Sequence, residues 1–168
     1  MLTIAGILSA VAVFNAVYPA VTRSSSAVVS ASARVNDRLK SGIEIVHVVG
    51  ELDSGGSFQD TNGNGKFDFF VWIKNVGDKT IDVIKDADLF LGKPGNFTRI
   101  PHETEVEGSV YPRWSFSIEN VATEWSPRAT IRVTVTYNSP PDAAPSTGSY
   151  DVKFVIPNGL SDEDFFSI

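Results

Sequence analysis

The sequence predicts an α+β protein: a long hydrophobic N-terminal helix followed by an immunoglobulin-like antiparallel β-sandwich. Three observations carry this expectation. Residues 1–22 contain no charged side chain, and Ile4–Val21 is almost wholly apolar. That length is what a helix needs to cross a ~30 Å hydrocarbon layer at ~1.5 Å per residue. The chain then turns amphipathic through Arg23–Lys40 and changes at Ser41–Gly42 into alternating β-type sequence that runs to Ile168. The expected division is residues 1–42 as helix and residues 43–168 as β domain.

Composition narrows the function classes. Of the formal net charge of −6, residues 1–50 carry +2 (Arg23, Arg34, Arg38 and Lys40 against Asp37 and Glu44), which leaves −8 on the remainder. An acidic β domain offers no basic footprint for nucleic acid. The absence of cysteine rules out disulfides, thiolate metal sites and a cysteine nucleophile. The 118 residues beyond Gly50 suffice for one modest core.

A cleavable secretory signal has a basic start, a shorter apolar core and a small-residue cleavage site. No Lys or Arg precedes this apolar run, which leads straight into more helical sequence, so retention is expected. At 100° per residue, Ala5, Ser9, Ala12, Ala16 and Ala20 fall on one helix face. Ile7, Val11, Phe14, Tyr18 and Val21 fall on the opposite face. A small-residue face admits close approach of another helix, and a bulky face fills grooves between further helices. The competing reading is a plain single-pass anchor whose alanines are incidental. Pro19 removes a backbone donor and predicts a kink near Asn15–Pro19. Beyond it the bulky stripe narrows to Val21, Val28, Val35 and Leu39, with Arg34, Asp37, Arg38 and Lys40 on other faces. The helix is expected to end at Ser41–Gly42, with Gly42 in the left-handed position.

The predicted strands are Ile43–Val49, Phe67–Val76, Thr80–Ile84, Ala87–Leu91, Arg113–Glu119, Ala129–Tyr137 and Ser149–Ile156. Alternation is clearest where Ile131, Val133, Val135 and Tyr137 interleave with Arg132, Thr134 and Thr136. Seven short strands with turn signals between them suit an immunoglobulin-like sandwich. Trp72 and Trp114 sit within strand patterns and are assigned to the core, whereas Trp125, in the turn-like run Thr123–Pro127, is assigned to the surface. The tail Ser161–Ile168 reads as a frayed end or as a docking strand.

Phe14–Ala20 closing an apolar helix, followed by Arg23-Ser-Ser-Ser26 and Asp37–Ile45, resembles the accessory F/G-type proteins of the archaellum, the archaeal flagellum. Val71-Trp-Ile-Lys-Asn-Val-Gly77, followed by Ile81 and Asp88-Leu-Phe-Leu-Gly92, resembles the same group. The resemblance implies a pilin-like subunit of the archaellin superfamily: a type IV pilin-type helix bearing an extracytoplasmic sandwich that serves archaellum assembly or anchoring to the surface layer. No prepilin-peptidase leader, no Glu near the helix start and no major-archaellin motif is seen, departures that count against a role as the principal archaellin.

The sharpest chemical motif is Asp60-Thr-Asn-Gly-Asn-Gly-Lys-Phe-Asp68. Asp60, Asn62 and Asn64 offer oxygens at the first, third and fifth positions of a calcium loop. Gly65 allows the turn, Lys66 lends its carbonyl and Asp68 follows. Val71 stands where an EF-hand has its bidentate Glu, so that motif is rejected, and a bare Asn-Gly turn is the competing reading. Calcium is thus the one cation suggested, and no cofactor is required. Asn96-Phe-Thr98 is an N-glycosylation sequon. His47 and His102 lack a Ser, Cys or metal-ligand partner in the sequence, and Glu103, Glu105 and Glu107 read as a solvated surface. No catalytic constellation is found, and no enzyme is expected.

Two principal functions follow. One is a structural subunit that assembles with other copies or related pilin-like subunits through its helix, held in the membrane before assembly and displayed at the cell surface. The other is a membrane-anchored binding module that grips surface-layer protein or glycan. An exported enzyme is a distant third.

Overall fold

The computed structural model describes the backbone of residues 2–120, 122–138 and 145–168, and the side chains of α1 at positions 18, 19, 21–26 and 28–40. Helix α1 spans Leu2–Lys40, and Pro19 lies inside it without ending it. Eight strands follow: β1 (Ile43–Gly50), β2 (Asp68–Asn75), β3 (Asp88–Lys93), β4 (Asn96–Ile100), β5 (Arg113–Ile118), β6 (Thr130–Thr136), β7 (Ser149–Val155) and β8 (Ser161–Ser167). Met1–Leu39 and Lys40–Ile168 are separate compact units.

The strands form two antiparallel sheets, ordered β1-β2-β6-β5 and β4-β3-β7-β8. Immunoglobulin-type sandwiches use this order, here with one extra edge strand, β4, beside the third. Period-two alternation sets the inner faces. Phe69, Val71 and Ile73 of β2 pair in register with Val135, Val133 and Ile131 of β6, and all six are fully buried. They face Leu89 and Leu91 of β3 and Val152 and Phe154 of β7, which pair across the other sheet. Trp114 on β5 is fully buried with its ring edge-on to Phe154, as its strand position predicts.

Five expectations are corrected. Trp125 is not a surface residue: it is fully buried, its Nε1–H donates to the Ala129 carbonyl at 3.2 Å, and its ring meets Phe154 edge-on. The run around it is covered because its backbone bridges to Ile81 and bonds the Asn75 side chain, which draws the loop over the core. Trp72 is only half-buried, because its register position on β2 faces outward between His47 and Phe70. Thr80–Ile84 is not a strand; Ile81 makes one isolated bridge, and a 3-10 turn begins at Ile84. Asn96–Ile100, given no strand, forms an edge strand defined by its pairing to β3, while Ser161–Ser167 takes the strand alternative of its two readings by pairing to β7. Lastly, Gly42 does not adopt the left-handed conformation.

Gly42 instead serves close approach. Its carbonyl accepts N–H bonds from Val76 and Gly77 at 2.9 and 3.2 Å, and the Lys40 carbonyl accepts from Asp78 at 2.8 Å. A Cβ on Gly77 would collide with the Gly42 nitrogen and lie 2.7 Å from the Lys40 oxygen. Asn75, fully buried, secures this corner. Its Nδ2 donates to the carbonyls of Lys79 (2.8 Å) and Trp125 (2.9 Å), and its Oδ1 accepts from Gly77 N–H (3.0 Å). The Lys74-Asn75-Val76-Gly77 motif is therefore the clamp on the segment that enters the β domain.

At the opposite edge, Asp162 of β8 pairs with Phe154, so its side chain lies on the inward side of the sheet. Its Oδ2 accepts the backbone N–H of Ile45 on β1 at 2.7 Å, tying the edges of the two sheets together. An inward-pointing charge also makes β8 a poor template for further strand addition.

Candidate assembly surface and the Asp60–Asp68 loop

Among the described helix side chains, Val21, Val28, Val35 and Leu39 form the narrow stripe their spacing predicts. All four are exposed, from 57% at Val21 to 79% at Leu39. Tyr18 is exposed too. The hydroxyls of this stretch are satisfied within the helix: Thr22 Oγ1 donates to the carbonyls of Tyr18 and Pro19, both at 3.1 Å, and Ser26 Oγ to Thr22 at 2.9 Å. Such residues tolerate an apolar partner, because their polar atoms need no water. Burying a Val or Leu side chain fully stabilises by roughly 1.5–3 kcal/mol. The stripe thus favours docking of another surface. Ala5, Ser9, Ala12, Ala16, Ala20, Ile7, Val11 and Phe14 have side chains outside the described residues. Among the described residues, no helix is long and apolar enough to cross a membrane.

The loop from Asp60 to Asp68 is built on its own carboxylates. Asp60 Oδ1 accepts N–H bonds from Gly63 (2.7 Å) and Asn64 (3.1 Å), and its Oδ2 accepts from Gly65 (2.8 Å). These amides hold the Asp60 carboxyl below the usual range, with the Gly65 bond the largest contributor. Gly63 and Gly65 take φ of +72° and +69°, which their lack of Cβ permits. Asp68 is fully buried, and its Oδ2 accepts from the side-chain amides of Asn62 (2.6 Å) and Asn64 (2.7 Å). Asp68 Oδ1 is buried with no hydrogen-bond partner.

A third carboxylate, which no spacing rule in the sequence singled out, completes the loop. Glu51, 3% exposed at the end of β1, accepts from the Thr61 amide (2.8 Å) and hydroxyl through Oε1, and from the Asp68 amide (3.0 Å) through Oε2. Lys66 points away, its Nζ 4.7 Å from the Tyr111 ring centroid. Among the described residues, no three His, Asp or Glu side chains stand together to hold a metal. The oxygens of Asn62 and Asn64 face the backbone amides of Asn64 and Lys66. Amide orientation follows the hydrogen-bond network. As placed, both Nδ2 groups bond Asp68 Oδ2 and both Oδ1 atoms accept backbone amides, so the two Asn side chains serve the turn itself.

The outer sheet faces carry aromatic groups. His47 and Trp72 lie 5.4 Å apart on the first sheet, with Phe70 beside Trp72 and the Arg132 guanidinium 5.8 Å from the Phe70 ring. On the second sheet Phe90 stacks on Phe97 at 5.8 Å, and Phe165 is exposed. Asn96 is exposed at the start of β4. Glu105 binds Arg99 through both carboxylate oxygens, at 2.9 and 3.0 Å, and Arg99 also reaches Asp88 at 2.5 Å. His102 is a buried cap: its Nδ1 accepts from Thr104 N–H, and its ring stands edge-on to Trp114. Burial pushes its pKa down. Its Nδ1 also lies 2.8 Å from the Thr104 hydroxyl, within the same cap.

Known proteins are similar to this chain in sequence or in fold. An uncharacterized protein of Archaeoglobus fulgidus is 26% identical over 171 residues, covering 99% of this chain and 94% of that protein. The archaellum periplasmic stator protein FlaG from Sulfolobus acidocaldarius aligns with a TM-score of 0.52 at 16% identity, over 75% of this chain and 99% of its own. The archaeal flagellin FlaB1 from Methanocaldococcus jannaschii aligns with a TM-score of 0.53 at 16% identity, over 76% and 89%. The subunit of the archaeal flagellum of Methanospirillum hungatei aligns over 98% of this chain and 90% of its own, with a TM-score of 0.52 at 19% identity. A family model for archaeal-type flagellin matches residues 1–166, and this chain therefore belongs to that family of structural archaellum components, which are not enzymes.

Proposed function

We propose that this chain is a structural subunit of the archaellum or a related archaeal surface filament, assembling through α1 with its β domain outside the membrane. The exposed Val21–Val28–Val35–Leu39 stripe carries the reading, because it continues an apolar helix with a face that no described residue covers. The partners are further copies or related pilin-like subunits; the membrane holds the helix before assembly. The test compares the full chain with residues 43–168 by electron microscopy and sedimentation. Filaments or large oligomers are expected from the full chain only, and equal oligomerisation of the truncated domain would defeat the reading. Within the full chain, Ala12→Leu or Ala16→Leu should hinder assembly and Val11→Leu should not. Equal tolerance would favour a simple anchor.

The second reading is a membrane-anchored module that grips surface-layer protein or glycan, as a stator would. The outward aromatic group of His47, Phe70 and Trp72 favours it, since such a face suits a flat apolar or sugar surface. Binding of the β domain to isolated surface layer, lost in Trp72→Ala, together with absence of filaments, would select it.

Two local features belong with either reading. We propose that the loop takes calcium through Asp60, Asn62, Asn64, the Lys66 carbonyl and Asp68, supported by the unpaired buried Asp68 Oδ1. A ligand present at a hundredfold excess over Kd stabilises the folded state by roughly 2.7 kcal/mol. Chelator should then lower the melting temperature of the wild type and not of Asp60→Ala, and a titration without heat or melting shift would remove the ion. The exposed Asn96 is the proposed glycan acceptor, tested by the intact mass of native protein and of Asn96→Gln.

A further inference from the structure

We infer that the outward face of the β1-β2-β6-β5 sheet carries a cleft that binds a neutral saccharide chain. The inference rests on the surface-layer reading above and deepens it, committing to glycan as the ligand and to one set of residues as its site. Register builds the floor. His47, Trp72 and Arg132 share one rung of the sheet, and Val49, Phe70 and Thr134 share the next. Phe70 and Trp72 lie on the outward side, because Phe69, Val71 and Ile73, which alternate with them, fill the core. Both are half-buried, with ring centroids 6.2 Å apart.

A wall rises at one end of this floor. Asp68 continues the outward row beyond Phe70, and its carboxylate accepts the side-chain amides of Asn62 and Asn64, which draws their loop onto the sheet. Between loop and sheet is a cleft of about 490 Å³, with Gln59 and Thr61 on the wall and Arg132 and Thr134 beside the two rings. That volume falls within the roughly 300–1,000 Å³ of small-ligand sites. Glu51 also borders the cleft, but its oxygens are occupied by the Thr61 and Asp68 amides.

The lining selects the ligand. A sugar ring has an apolar C–H face and a rim of hydroxyls, each both donor and acceptor. The rings of Phe70 and Trp72 suit the first and the polar side chains suit the second. Arg132 meets Glu119 only through Nε, at 3.8 Å, so its terminal nitrogens have no hydrogen-bond partner among the described residues. Gln59 Nε2 donates to Asp53 Oδ2 at 3.4 Å, which leaves its carbonyl oxygen to accept. A flat apolar partner would desolvate these groups without bonding them, which is costly. Residues beyond Gly50 carry a net −8, which opposes an acidic chain and favours a neutral one.

Of the three tryptophans only Trp72 reaches solvent, since Trp114 and Trp125 are fully buried. Acrylamide quenching of the full-length chain therefore reports this cleft. The probes are maltotetraose, mannotetraose and galactotetraose, and at least one is expected to shield Trp72 saturably. By calorimetry its affinity should fall about tenfold in Trp72→Ala and about fivefold in Thr134→Val, with Phe165→Ala on the other sheet unchanged. Melting curves confirm folding, and Thr134→Val, which keeps the side-chain shape, decides the matter if Trp72→Ala does not fold. Shielding by none of the three sugars, or affinity unmoved in the folded variants, overturns the cleft. Binding confined to a galacturonate tetramer overturns the neutral class. Isolated surface layer is then offered to the chain before and after periodate, which cleaves the vicinal diols of sugars. Loss of binding after periodate supports the inference. Retention overturns it and leaves the surface-layer reading standing, whereas no binding to the untreated layer removes both.

Discussion

Asn75 is the residue on which the clamp at Lys40–Gly42 depends, and its side chain can be altered with almost no change of shape. Asn75→Ala deletes three hydrogen bonds, those to the Lys79 and Trp125 carbonyls and from the Gly77 amide. Each bond contributes about 0.5–1.5 kcal/mol net. The Trp125 carbonyl keeps one donor, the Ile81 amide at 3.1 Å, so it is not left bare. The expected cost is therefore about 2–3 kcal/mol. Asn75→Asp is nearly isosteric but replaces the Nδ2 donor by an oxygen facing two carbonyl oxygens at 2.8 and 2.9 Å. A buried charge without a partner costs about 3–5 kcal/mol, so Asp should be worse than Ala although it keeps the bond to Gly77. Urea unfolding of residues 40–168 and of the full chain, followed by tryptophan fluorescence, measures both. At roughly 4 °C per kcal/mol, the Ala variant should melt about 10 °C lower. An Asp variant as stable as wild type, or an Ala cost below about 0.5 kcal/mol, would refute the clamp.

Three further expectations follow from the same structure. Trp125→Ala should cost about 3–5 kcal/mol, the range for a large core aromatic, whereas a surface residue would lose under 0.5 kcal/mol in the same urea experiment. Gly77→Ala should cost about 3 kcal/mol, the upper end for overpacking, because its Cβ meets the backbone of Lys40–Gly42 and no side chain can yield; a melting curve matching wild type would contradict this. Stability should decline in two stages as pH falls. His102 has its folded pKa depressed below 6.5, so the unfolded chain takes the proton first and stability is lost as pH drops from about 6.5. The carboxyls of Asp53, Asp60 and Glu105 are also depressed, by amide bonds and, for Glu105, chiefly by Arg99, so their contribution is present above the ordinary carboxylate range and lost below it. His102→Asn, which retains a capping side chain, should abolish the first stage only; an unchanged profile above pH 5 would exclude His102 as its source.

The strands that sequence reveals best are those with alternation on both sides of a central position. β6 and β7 lie inside their sheets, so Ile131, Val133 and Val135 and Tyr150, Val152 and Phe154 are buried at period two while the residues between them are not. β4 and β8 are edges. Phe97 and Phe165 point outward, whereas Asp162 and Asp164 lie on the inward side, and this inverts the usual pattern and disguises the strands. Trp72 and Trp125 depart from their local pattern for one reason: pattern tells which side of an element a residue occupies and not what covers that side. The Asp60 motif is visible as oxygens at set positions, but Glu51, which joins it from just past β1, lies outside any spacing rule.

What the sequence by itself determined is the division of labour: an uncharged helical start, an amphipathic continuation, a break at Ser41–Gly42 and an acidic β domain. These are one-dimensional properties, since helix and strand periods and net charge depend only on neighbours along the chain. Family membership too was legible in Lys74-Asn75-Val76-Gly77. The purpose of that motif was not, because Asn75 bonds the Trp125 carbonyl, fifty positions away in the chain. The tertiary structure alone decided which aromatic residues are core, which carboxylates share the loop and which sheet face stays open. Each of those is settled by contacts between segments remote in sequence, and burial is a property of the assembled surfaces and not of any segment.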